Sequence, residues 1–143
     1  MSKTSCRQEL LMKKLNEFYA DANNINILLP IVMGTSNISL RVIDWFVTNY
    51  SKKNNIFYNI DYEQNDEIKT KQFIVYINYK SQLKAYSKKY FDPFCRRERI
   101  EFTYNTNKNI TTTVGQLNFF RWGISNGIID YIRENLSLIE KDM

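Results

Sequence analysis

Hydrophobic side chains recur along the chain with two different periods, and the switches between them outline its elements. In "CRQELLMKKLNEFYADA", Leu10, Leu11, Leu15 and Phe18 are spaced for one helical side, while Arg7, Lys13, Lys14 and Glu17 remain wet. That spacing predicts an amphipathic helix from about Cys6 to Ala20. The run "NNINILLPIVMGTSN" lacks a clear period and contains Pro30 and Gly34. It is expected to be a buried strand or an irregular core segment. A second helix is predicted over about residues 39–53, "SLRVIDWFVTNYSKK". Asn37 or Ser39 can cap it, and Ile43, Phe46, Val47 and Tyr50 face the core. Asp44 early and Lys52-Lys53 late suit the helix dipole.

Extended patterns follow. "NNIFYNIDYEQNDEIKTK" predicts a strand, an acidic turn and the approach to another strand. "QFIVYINY", residues 72–79, is rich in β-branched and aromatic residues and is the best strand candidate. The period then changes again. Tyr79, Leu83, Tyr86 and Tyr90 fall on one helical stripe, with Lys80, Lys84 and Lys88 on its neighbour. Pro93 should stop that helix, after which "RERIEFTY" reads as extended and "NTNKNITTT" as a polar connection ending in a short strand. From about Thr113 the pattern is helical to the end of the segment. Gly123 and Gly127 either permit close packing there or mark a break between two shorter helices.

These elements make an α+β chain: a single domain over residues 1–143, with helices covering a small, mainly antiparallel sheet. Residues 1–6 and 139–143 are expected to fray. The length of 143 residues suits one cored domain and is short for two. Ten tyrosines, nine phenylalanines and two tryptophans can fill a core without disulfides or metal. No apolar run is long enough for a membrane span, and charges occupy the place of a signal peptide's apolar centre. The expectation is an intracellular protein, in cytoplasm or nucleus, or one packaged in a virion, without membrane insertion.

Histidine is absent, which removes Ser-His-acid and Cys-His nucleophiles, histidine-zinc sites and histidine bases. No alternative catalytic set assembles, so the chain reads as non-enzymatic, with no cofactor and no metal. Cys6 and Cys95 form no disulfide framework. Arginines beside Cys95 favour its thiolate, yet no partner base accompanies it. Asp61, Glu63, Asp66 and Glu67 read as an exposed turn rather than an ion site, since their spacing matches no calcium loop.

Charge distribution carries more. Between residues 69 and 99, nine lysines and arginines oppose only Asp92 and Glu98; that segment is +7 and the rest of the chain −2. The candidate nucleic-acid contacts are Lys80, Lys84, Lys88, Lys89, Arg96, Arg97 and Arg99. Lysines meet phosphates as point charges and arginines as bidentate forks. The tyrosines of the stripe are expected to be buried rather than to stack on bases. An acidic protein partner would explain the same charge. A second candidate surface is Phe119, Arg121 and Trp122, aromatic and arginine residues suited to anchoring a protein interface. Phe119 is expected to complete the core, while Trp122 can do either.

The phrases "IDWFVTNY", "SQLKAYSKKYFDPFCRRERI" and "TTTVGQLNFFRWGI" resemble segments of uncharacterised proteins of nucleocytoplasmic large DNA viruses, over roughly residues 38–132. The resemblance transfers no catalytic residue. It implies a role in genome packaging, transcription or the virion. The leading expectation is a basic protein contacting DNA or RNA through phosphates. The alternative is a structural or adaptor protein making homo- or hetero-oligomeric contacts.

Overall fold

The computed structural model describes residues 3–94 and 98–143, with side chains from Gln8 onward in the first helix. Helix α1 (Lys3–Tyr19) buries Leu11 and Leu15 as the spacing predicts, with Phe18 half-buried, but Tyr19 takes the place expected of Leu10, which is exposed. Tyr19 donates from its hydroxyl to the carbonyl of Leu117 at 2.6 Å, which ties α1 to a helix nearly a hundred residues later.

The next segment is a helix, α2 (Ala22–Val32), and corrects the expected strand or irregular core segment. Asp21 caps it by accepting from the Asn23 amide at 2.8 Å. Ile25, Leu28 and Ile31 form its buried edge. Pro30 lies within the last turn, and the amide it lacks would have met the carbonyl of Asn26, an exposed residue. The proline therefore leaves intact the helix, which runs on past it to Val32.

Ser39 caps α3 (Leu40–Trp45), its hydroxyl accepting from the Val42 amide. This helix continues through a π turn (Phe46–Tyr50) into α4 (Ser51–Lys53). In the π turn the Ser51 amide reaches back to Phe46, and the Ser51 hydroxyl occupies the vacated Val47 carbonyl at 2.8 Å. The buried serine thus completes a ladder that an α-helix would have closed with backbone alone.

Strands β1 (Phe57–Gln64) and β2 (Glu67–Ile74) pair antiparallel across Asn65-Asp66. Both turn residues have positive φ, 54° and 62°, as a two-residue hairpin of this hand requires. Strand character then ends at Ile74, and α5 (Val75–Phe91) begins, so most of "QFIVYINY" is helical. Val75 and Phe91 are buried on it, while Tyr79, Leu83, Tyr86 and Tyr90 are half-buried against the core. The helical stripe extends back through Val75, and packing overrides the β propensity of these residues. Ser87, at φ 67° and ψ 167°, interrupts α5.

Strands β3 (Ile100–Tyr104) and β4 (Lys108–Thr112) make a second antiparallel pair. The two pairs are separate ribbons, where one small sheet was expected. Thr113 then caps α6 (Val114–Ser125) by accepting from the Gln116 amide. Gly127, at φ 70°, breaks the chain between α6 and α7 (Ile128–Glu134), while Gly123 is buried and packs near Ile129. Residues 139–143, expected to fray, belong largely to α8 (Leu136–Asp142). Ile139 is buried there, and Asp142 meets Lys53 at 2.8 Å.

The result is a compact α+β domain whose centre is α6. Its buried Leu117, Phe119, Phe120 and Trp122 meet α1 on one side and α5 on another.

Candidate nucleic-acid interface

The inner side of α5 is held by polar contacts as well as by rings. Trp122 donates its indole N–H to Asn78 at 2.7 Å. Asn118, fully buried, donates to the Tyr90 carbonyl at 2.9 Å and accepts from Arg121. Arg121 also reaches the Tyr86 hydroxyl at 3.4 Å. These contacts fix which face of α5 points inward. They also use the second candidate surface internally. Phe119 is 1% exposed and Trp122 5%, so neither is available as an interface anchor, and Arg121 is a tether inside the chain.

With the tyrosines inward, Lys80, Lys84, Lys88 and Lys89 are all exposed. They do not form one uniform stripe, because the break at Ser87 separates Lys80 and Lys84 from Lys88 and Lys89. Lys89 is paired with Glu98 at 3.0 Å, and that carboxylate holds its amine above the usual lysine range. Lys89 also stands over the Tyr90 ring. Lys80, Lys84 and Lys88 make no ion pair among the described residues. Arg99 is exposed and lines a different recess, with Pro93, Phe94 and Met33. Arg96 and Arg97, with Cys95, lie outside the described residues, as does the side chain of Cys6.

A cleft of about 480 Å³ runs between α1 and α5. Lys14 and Lys84 both line it, with Leu10, Leu11, Tyr86 and Tyr90, and no carboxylate is among its lining residues. The fold therefore adds Lys14 to the basic set. Its sequence neighbourhood places Lys14 on the wet side of α1 but has no signal linking it to a residue seventy positions away.

On the opposite charge, Asp44 is half-buried on α3, and burial first, then the charge of Asp92, raises its carboxyl above the ordinary value of 3.8. The folded state thus disfavours the ionised form. Asp44 costs stability at neutral pH, and the cost disappears once acid protonates it in both folded and unfolded chains. Asp44→Asn is expected to stabilise the protein at neutral pH by about 1 kcal/mol or less, since the group is partly solvated. Near pH 3 the benefit should vanish, and thermal melts at the two pH values check this. Among the described residues, no group of three or more His, Cys, Asp or Glu is arranged to hold a metal ion. Nor is any described helix long and apolar enough to cross a membrane.

Fold and surface together describe a small α+β protein with an exposed lysine face on a ring-packed helix. The chain belongs to a family of unknown function, DUF7197, which it matches over residues 2–143. It is 46% identical over 140 residues to uncharacterized protein L507 of Acanthamoeba polyphaga mimivirus, an alignment covering 94% of this chain and 52% of that relative. The chain spans about half the length of this curated relative, and the match agrees with the viral resemblance of its helical segments. No solved structure matches.

Proposed function

We propose that this viral protein is a non-enzymatic nucleic-acid-contacting protein that binds phosphates through α5 and the adjoining cleft. The observation that carries this reading is the pairing of Lys14 with Lys84 on one carboxylate-free cleft, with Lys80 and Lys88 exposed and unpaired nearby among the described residues. Unpaired lysines bind phosphate without first giving up an internal partner. Lys89 must give up Glu98 and is the weaker contact. Contacts of this kind are salt-sensitive and largely independent of base sequence. Packaging and transcription are the viral settings that fit such binding.

The test is binding of fluorescent single-stranded and duplex probes across a salt series, using protein freed of carried-over nucleic acid. Combined Lys14→Gln, Lys84→Gln and Lys88→Gln substitutions should lower affinity roughly tenfold or more at low salt and flatten the salt slope by about 0.7–0.9 for each phosphate no longer neutralised. Lys108→Gln, on the β3–β4 hairpin, should leave both nearly unchanged. An unaltered affinity in the triple variant, or no binding to any probe at low salt, overturns the proposal.

A further inference from the structure

The outer part of the β1–β2 ribbon, residues 61–70, stands clear of the core, and the two faces of the ribbon differ in kind. Cross-strand partners share a face, so Tyr58, Ile60, Tyr62, Lys69, Lys71 and Phe73 lie together on one side. The base of that side enters the core through Phe73 and Tyr58, whose hydroxyl donates to the Asn126 carbonyl at 2.7 Å. Further out, Lys71 lies over the Tyr62 ring.

The other face holds Phe57, Asp61, Glu63, Ile68 and Ile74 among polar residues, and no cation. Phe57 is 58% exposed and Ile68 79% exposed. Residues 61–70 are all exposed, so the ribbon does not lie against its own α5. An isolated two-stranded ribbon is marginal in water, and an exposed acidic and apolar face favours a basic and apolar partner.

A surface of that chemistry is present on the same chain. Ile77, Lys80 and Lys84 are spaced three and four apart on α5, hence on one helical face, and Ile77 is 64% exposed. Their spacing matches the ribbon. Asp61 and Glu63, two residues apart on a strand, lie about 6.6 Å from one another. Lys80 and Lys84, one helical turn apart, rise by about 6 Å. Ile68 pairs in register with Glu63 and can meet Ile77 as the carboxylates meet the lysines.

We infer that the outer face of the β1–β2 ribbon docks on the Ile77–Lys84 face of a second copy of this chain, and that the contact is made twice about a two-fold axis. α5 follows β2 directly in the chain, so each copy carries both halves of the contact, as a two-fold arrangement requires. One such contact is small. Two bring the interface toward the size of specific dimers, and association in the micromolar range is expected. The dimer contact takes up Lys80 and Lys84, which the proposed phosphate contact also uses, so a second copy and a phosphate polymer compete for them; mass measured in the absence of nucleic acid tests the dimer alone.

Charge reversal with complementation tests it. The wild-type chain should show a concentration-dependent shift from monomer to dimer by light scattering or sedimentation. Asp61→Lys with Glu63→Lys should be monomeric, as should Lys80→Glu with Lys84→Glu. An equimolar mixture of the two variants should restore the dimer, since the reversed ribbon of one then meets the reversed helix of the other and the second contact is the wild-type pair. Ile68→Asn should weaken the wild-type dimer without a change in charge. All these positions are exposed, and circular dichroism monitors the fold. A wild-type chain that stays monomeric through high micromolar concentration overturns the inference, as do variants that dimerise normally or a mixture that stays monomeric.

Discussion

Phe91→Ala should cost about 3–5 kcal/mol, one of the largest losses available to a single side chain in this fold. Phe91 is fully buried at the end of α5. Its ring lies 5.4 Å from both Phe119 and Trp122, 6.1 Å from Tyr79 and 6.2 Å from Tyr86. It therefore joins the tyrosine stripe of α5 to the buried rings of α6. Truncation removes both transfer energy and ring contacts, and leaves a cavity that four other rings and Asn118's hydrogen bonds prevent from closing. A domain of this size commonly has only about 5–15 kcal/mol in total, so the midpoint should fall by roughly 10–20 °C. Phe91→Leu should recover a substantial part of the loss. Paired thermal and denaturant melts check both, and an alanine variant within about 1 kcal/mol of wild type would mean that the ring cluster contributes little.

That cluster also explains which parts of the fold could be read in advance. Ser39, Thr113 and Gly127 are local signals with local consequences, two caps and one break. Ser39 caps where expected, the helix starts after Thr113 as expected, and Gly127 takes the break of the two readings open to it. The inward side of α5 was equally readable, because Tyr79, Leu83, Tyr86 and Tyr90 repeat at helical spacing. The start of α5 was not. Val75, Tyr76 and Ile77 are good strand residues, and only burial of Val75 and the Trp122–Asn78 hydrogen bond favour helix there. In α2 the buried residues Ile25, Leu28 and Ile31 are hidden inside a nearly continuous apolar run, and Pro30 suggests a break that falls too late to matter.

The candidate site divides along the same line. Exposure of Lys80, Lys84 and Lys88 follows from the inward tyrosines, so the sequence locates them. Ser87's left-handed backbone, the Lys89–Glu98 pair and the position of Lys14 depend on chain geometry that no local pattern encodes. Net charge likewise says nothing of whether the cations share one surface. Lys89 is paired, and Arg99 lines another recess.

Gly115 couples core packing to that surface, and Gly115→Val is the second change expected to have a large effect. Gly115 is buried in the first turn of α6, against the C-terminal turn of α5. A Cβ there would lie 2.8 Å from the Lys89 carbonyl oxygen and 3.2 Å from that of Asp92. Both obstacles are backbone, so no side-chain rotation relieves them. Alanine would gain up to about 1 kcal/mol of helix propensity, less in a first turn. The overlap costs typically about 1–3 kcal/mol, and so even Gly115→Ala should be destabilising on balance. Valine adds two methyl groups to the same space and should lose about 3 kcal/mol or more. The strain falls on the turn carrying Lys88 and Lys89, so the alanine variant should also bind phosphate polymers less tightly while remaining folded. A melt and a probe titration on the same sample separate the two effects. If the alanine variant matches wild type in stability, the approach of α6 to α5 is looser than the 2.8 Å contact requires.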